Sequence, residues 1–217
     1  HGGQRFTDCC AGHRREVDAE NMFTGIIQAV GKLAAVEPHG AERRMRIATG
    51  ALDLSDARVG DSIAVSGVCL TATILVDVGL WCEGSGETLA RTTLGERPVG
   101  GRVNLETALL PTTRLGGHLV SGHVDGVGSV VEQRAEGQSL RVSVSVPKEL
   151  AKYIAVKGSV CVNGVSLTVN EVNGAVFTVN LVPHTLQQTT LGENTVGARV
   201  NIEVDLIARY LERLLER

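Results

Sequence analysis

Four blocks of this sequence occur twice at one constant offset, and a fold for the chain must accommodate that. Gly25 in "FTGIIQAVG" corresponds to Gly122 in "VSGHVDGVG", and Gly67 in "VSGVCLTA" to Gly164 in "VNGVSLTV". Glu87 of "ETLARTTLG" corresponds to His184 of "HTLQQTTLG", and Val99 of "VGGRVNLE" to Val196 of "VGARVNIE"; each pair is 97 residues apart, as 122 is from 25. Between the first two blocks "RRMRIA" from Arg43 and "SLRVSV" from Ser139 align at an offset of 96, a slip expected where a loop has changed length. A fixed spacing held over four blocks marks a tandem duplication, with repeats over 22–117 and 118–206 and a tail over 207–217.

Within each repeat the apolar residues alternate with polar ones, as in "LRVSVSV" (140–146), "SVCVNGVSLTV" (159–169), "AVFTVNLV" (175–182) and "ARVNIEV" (198–204). Period two predicts half-buried strands, and glycine-bearing stretches such as "VNGA" (172–175) predict the turns between them. About six short strands per repeat point to an all-β chain of two six-stranded Greek-key barrels, because closure removes exposed edges; an open sandwich is the alternative. "PKELAKYIAVKG" (147–158) predicts a short helix that starts near Pro147 and stops at Gly158. The tail "LIARYLERLLER" places Ile207, Tyr210, Leu211, Leu214 and Leu215 on one face of a C-terminal amphipathic helix.

Composition removes several function classes. A formal net charge of −3 over 217 residues leaves no broad basic footprint, and with 3% aromatic residues stacking platforms are scarce, so nucleic acid is not an expected partner. The apolar runs are shorter than the ~18 residues a spanning helix needs, so no membrane association is expected. Cys9, Cys10, Cys69, Cys82 and Cys161 are odd in number and form no C-x-x-C pair, which argues against a disulfide framework or a metal site and fits a reducing cytoplasm. The first 21 residues, polar and unlike the repeats, are expected to be an extension or tag without order, with Met22 as the natural start.

Several motifs resemble those of the riboflavin synthases of the alpha-subunit type. They are "MFTGIIQAVG" from Met22, "GGHLVSGHVDG" at the junction, "NGVSLTVNEV", "VPHTLQQTTLG" and "GARVNIEVDLIARYL". The resemblance implies a transferase in which two molecules of 6,7-dimethyl-8-ribityllumazine dismutate. A four-carbon unit passes from one to the other, giving riboflavin and 5-amino-6-ribitylaminouracil without metal or organic cofactor. It also implies a homotrimer, with the first barrel of one subunit reacting against the second barrel of another, and it leaves open an association with lumazine synthase. The duplication then acquires a chemical reason: two identical molecules need two similar pockets, and their unlike roles need unlike details.

His123, whose counterpart is Ile26, is the titratable difference between the copies and a candidate base for a lumazine methyl proton. A surface histidine in a glycine-rich turn is the plainer reading. Ser166 and Thr168, two apart on a strand, face one side and could hold a pteridine edge or a water nucleophile. Their counterparts Cys69 and Thr71 line the first pocket; a cysteine there is a candidate nucleophile or a small apolar filler. Lys157 is a candidate to neutralise the anion left by proton loss, or a solvated lysine beside a turn. Asp205 either orients a catalytic group or caps a helix.

The resemblance places backbone contacts to the pteridine at Gly25, Ile26 and Ile27, at Gly122, His123 and Val124, and along Leu181, Val182, Pro183, His184 and Thr185. Leu70 and Leu167 accompany their strands, and Glu83, Glu87 and Thr88 complete the first pocket, with Thr88 and Thr185 as ribityl binders. "CEGSGETL" (82–89) departs from the family pattern at Gly84, Ser85 and Gly86. Two rival readings remain: a non-catalytic lumazine- or flavin-binding protein of the same fold, and an oligomerising scaffold.

Overall fold

The structure, a computed structural model, describes residues 22–40 and 42–216. The expectation for residues 1–21 lies outside them. Among the described residues twelve strands form two closed antiparallel barrels. The first contains β1 (Ala29–His39), β2 (Glu42–Ala48), β3 (Ser62–Val65), β4 (Val68–Val76), β5 (Gly79–Gly84) and β6 (Arg102–Thr107), in the order β1-β2-β5-β4-β3-β6. The second contains β7 (Gly126–Glu136), β8 (Ser139–Ser145), β9 (Ser159–Val162), β10 (Val165–Asn173), β11 (Val176–Leu181) and β12 (Arg199–Val204), which repeat that order. Closure bends the strands at bulges, and the bulges repeat too: Leu33/Ala35 with Val130/Glu132, and Ala72/Ile74 with Val169/Glu171.

Alternation sends one set of side chains into each barrel. Leu33, Met45, Ile47, Ile63, Val65, Leu80 and Leu105 fill the first, and Val160, Val169, Phe177, Val179, Leu181, Val200 and Ile202 the second. Each fully buried side chain of this size contributes about 1.5–3 kcal/mol. Short helices α1 (Gly86–Arg91) and α3 (Pro183–Gln188) follow β5 and β11, each leading into a 3₁₀ turn (Thr93–Glu96 and Thr190–Glu193). In the 147–158 stretch only α2 (Lys148–Ala151) is helical. The chain then turns to bury Ile154, and the helix ends well short of Gly158. The tail forms α4 (Leu206–Leu215), whose Glu212 bonds Lys152 and Tyr153 of its own barrel.

The barrels meet around a pseudo-twofold axis on which counterparts face one another. Phe23 and Val120 pair as an isolated bridge. The amide of Asn104 donates to the Asn163 carbonyl and its oxygen accepts from Thr190 N, while Asn201 donates to the Ser66 carbonyl and accepts from Thr93 N. The contacts occur twice with the barrels exchanged, the signature of an isologous interface. At its centre lie the turns of the repeated phrase. Ser66-Gly67 and Asn163-Gly164 have positive φ at both residues, the pattern of two-residue hairpin turns, and a Cβ on Gly164 would lie 2.8 Å from the Gly67 nitrogen.

Gly164→Ala is therefore expected to cost roughly 2–4 kcal/mol, combining left-handed strain with a backbone collision. Gly174→Ala is the control, since that glycine also has positive φ (58°) but open space around it, so only the strain of about 1 kcal/mol applies. Urea melts of the two variants check this, and equal losses would contradict the packed axis.

Candidate active site: two crossed half-sites

The residues singled out on β4 and β10 lie on the outer faces of the barrels. Val68, Leu70 and Ala72 point into the first core and Val165, Leu167 and Val169 into the second, which leaves Cys69, Thr71, Ser166 and Thr168 outside. Leu70, Leu167 and Leu181 are core side chains, so only their backbone can meet a ligand.

Two extended straps complete these faces, and they cross. The Gly25 carbonyl accepts Ser166 N at 2.8 Å, so the segment that opens the first repeat lies on the second barrel, where Ile27 packs against the core. The Gly122 carbonyl accepts Cys69 N at 2.8 Å, so the segment that opens the second repeat lies on the first barrel, with Val124 against that core. The crossing sets the exposed His123 next to the Gly122–Cys69 bond, on the barrel opposite to its own repeat.

A buried carboxylate fastens each strap. Glu106 Oε1 accepts Thr24 N (2.7 Å) and Thr24 Oγ1 (2.6 Å), and Oε2 accepts Gly25 N (3.0 Å). Glu203 treats Ser121 and Gly122 in the same way at 2.6, 2.7 and 3.0 Å. Burial pushes both carboxyls above their ordinary range, against the pull of the strap's own donors. Both sit in the repeated "VNLE" and "VNIE" blocks, whose recurrence was visible although their role was not.

The half-site on the second barrel holds a residue that sequence reasoning passed over. His118 is 9% exposed, and its Nδ1 lies 2.7 Å from Ser166 Oγ. Its Nε2 is buried without a partner. Burial lowers the imidazole below its ordinary value, and the nearby charge of Asp205 opposes this, so a neutral imidazole is available to accept the Ser166 hydroxyl proton. The signal was a second histidine within "GGHLVSGHVDG". Asp205 is the N-cap of α4, its side chain accepting from Ile207 N at 2.9 Å, so it caps the helix while its charge acts on the histidine.

The half-site on the first barrel has different chemistry. Burial raises the Cys69 thiol, with the Ser62 hydroxyl opposing. The sulfur therefore stays protonated near neutrality, which favours the filler over the nucleophile. Ser85 caps α1, accepting Thr88 N at 3.1 Å, and the hydroxyls of Ser85 and Thr88 lie 3.0 Å apart. Ser85 in "CEGSGETL" thus serves the helix, and Thr88 stands at its first turn. Glu87 pairs with Arg91 at 2.9 Å, and Glu83 lies 3.7 Å from His39. On the other barrel Val182 caps α3 with Pro183 in its first turn; His184 is exposed and Thr185 half-buried.

Lys157 is exposed at φ 67°, and its counterpart Gly60, 97 residues earlier, has φ 99°. Both amides donate to the equivalent carbonyl at 2.8 Å, Lys157 to Val169 and Gly60 to Ala72. The lysine thus holds a left-handed conformation at a position where its counterpart is a glycine. Lys157→Gly is expected to stabilise the fold by about 1 kcal/mol while lowering turnover. A melt and an assay on the same preparation check this, and a variant both more stable and fully active would deny the lysine a role.

A family model described as "Lumazine binding domain" matches twice, over residues 24–108 and 121–205. The riboflavin synthase of Photobacterium phosphoreum is 50% identical over 194 residues, which cover 89% of each chain. That of Brucella abortus (strain 2308) is 46% identical over 200 residues, covering 90% of this chain and 98% of its own. The chain belongs to the riboflavin synthase family. Among solved structures, LumP complexed with 6,7-dimethyl-8-(1'-D-ribityl) lumazine superposes with a TM-score of 0.75 at 26% identity, covering 84% of this chain and 98% of that one. LumP complexed with riboflavin gives 0.76 at 27% identity with the same coverage. Each family-model match begins inside a strap, at Thr24 and at Ser121, so both matched domains include the segment that crosses to the other barrel.

Proposed function

We propose that the chain is a riboflavin synthase, a transferase that dismutates two molecules of 6,7-dimethyl-8-ribityllumazine to riboflavin and 5-amino-6-ribitylaminouracil. The observation that carries this is the pair of half-sites with one backbone plan and unlike reactive groups. Cys69, Thr71 and His123 stand on one, and Ser166, Thr168 and His118 on the other. One plan suits one ligand bound twice, and unlike groups suit opposite roles.

In this reading His123 takes or returns a methyl proton of the lumazine beside it. Lys157, on the second barrel of the subunit that faces it, stabilises the resulting anion. The Ser166–His118 pair orients and activates a hydroxyl, or a water held by it, against the second lumazine. Thr88 and Thr185 receive the ribityl chains, and strap amides meet the pteridine edges. Holding both molecules in reacting geometry replaces a rare bimolecular encounter, an advantage that reaches about 7–11 kcal/mol in favourable cases.

The chain acts as a homotrimer in the cytoplasm. Ile207, Tyr210, Leu211, Leu214 and Leu215 of α4 are all more than half exposed, an apolar stripe that three copies bury in a small bundle. That arrangement sets a first-barrel half-site against a second-barrel half-site of another subunit.

Incubation with the lumazine tests the function. Appearance of riboflavin's absorbance supports it, bound fluorescence without turnover shows a carrier of the LumP kind, and absence of binding shows a scaffold.

A further inference from the structure

We infer that Arg209 of the tail helix, through Asp125, is a positioning residue for the strap that carries His123. The inference rests on the synthase reading and goes beyond it by giving the tail a task inside each subunit.

Asp125 lies two residues beyond His123. Its amide donates to the Ile202 carbonyl at 2.8 Å, and its Oδ2 accepts Val204 N at 2.8 Å, which ties the strap to β12. Its Oδ1 accepts from Arg209 Nη2 at 2.5 Å, and the carboxylate is only 10% exposed. The strap's other end is held by Glu203 on the same strand, and its Gly122 carbonyl accepts Cys69 N. His123 and Val124 therefore sit between a fixed clamp on β12 and a clamp shared with the helix.

The duplication supplies an internal control. The counterpart of Asp125 is Gln28, whose amide donates to the Leu105 carbonyl at 3.0 Å and whose Oε1 accepts Thr107 N at 2.9 Å. Gln28 thus braces its strap against β6 as Asp125 braces the other against β12. The first repeat has no helix after its last strand, and there a neutral amide suffices. The second repeat has α4, and there the brace is a carboxylate whose second oxygen meets the helix's arginine. A half-buried charge-assisted pair of this geometry holds its partners more firmly than a neutral hydrogen bond. The N-cap Asp205 of the same helix lies close enough for its charge to act on His118.

The test uses the full-length protein with Arg209→Gln, Arg209→Lys and Asp125→Asn, the last keeping an acceptor for Val204 N. Turnover is measured at concentrations where sedimentation shows the wild-type assembly, together with hydrogen exchange of residues 121–126. Arg209→Gln is expected to lower kcat roughly ten- to hundredfold with KM little changed, and to speed exchange of the strap by a similar factor. Arg209→Lys should recover part of both effects. The double variant should be no worse than the worse single one, as for two members of one interaction. Unchanged kcat and exchange in an assembled Arg209→Gln protein would overturn the inference. So would activity that returns fully when a higher protein concentration restores assembly. If the wild type itself makes no riboflavin, the synthase reading falls, and strap exchange alone decides whether the helix holds the strap.

Discussion

Ser166→Ala is expected to lower riboflavin formation by about 10²–10⁴-fold, the usual contribution of a positioned proton-transfer pair, while lumazine still binds. The hydroxyl's neighbour explains the size. His118 Nδ1 lies 2.7 Å away, and burial disfavours its imidazolium. Residues that act as one unit lose their effect together, so Ser166→Ala/His118→Gln should be about as slow as either single variant. The pH dependence has a definite sign. The folded-state imidazole is depressed below 6.5 by burial, so the neutral form is favoured, and the stability this gives is complete above 6.5 and lost as pH falls below it. The same fall removes the base. The wild type should keep this base to a pH below the ordinary histidine value, and His118→Gln should therefore alter the acid limb of its profile. Additive losses in the double variant, or an unaltered acid limb, would remove His118 from the chemistry.

Truncation before Ile207 should abolish turnover while leaving both barrels folded. The barrels close without the helix, whereas a ten-residue helix is marginal alone in water and its apolar stripe faces outward. Sedimentation should show monomers that bind lumazine singly, and near-ultraviolet circular dichroism should keep the barrel signature. A truncated chain that stays trimeric and active would sink the proposal that α4 assembles the enzyme.

Much of the fold was legible because β structure writes its period locally. The alternation in "SVCVNGVSLTV" fixed which side of β10 carries Ser166 and Thr168, and the offset of 97 promised a second barrel with the same strand order. The crossing of the straps was not legible. The bond from Ser166 N to Gly25 O joins residues far apart in sequence, and neither periodicity nor the repeat says whether an opening segment lies on its own barrel or on its twin. That His123, in the second repeat, stands on the first barrel therefore could not be read from the sequence. His118 was hidden differently: it lies between strands, in a stretch with no pattern, and its importance comes from a partner on β10. Glu106 and Glu203 were printed in both copies, but a carboxylate at a strand's end reads as solvated until the strap amides converge on it.

The central claim is that crossed, unlike half-sites bring two identical lumazines into opposite roles. Stoichiometry tests it most directly. With the purified chain and the lumazine as sole substrate, chromatography should show riboflavin and 5-amino-6-ribitylaminouracil appearing in equal amounts, their sum matching the lumazine consumed. Lumazine that binds and fluoresces but is never consumed, or riboflavin formed without its pyrimidine partner, would contradict it.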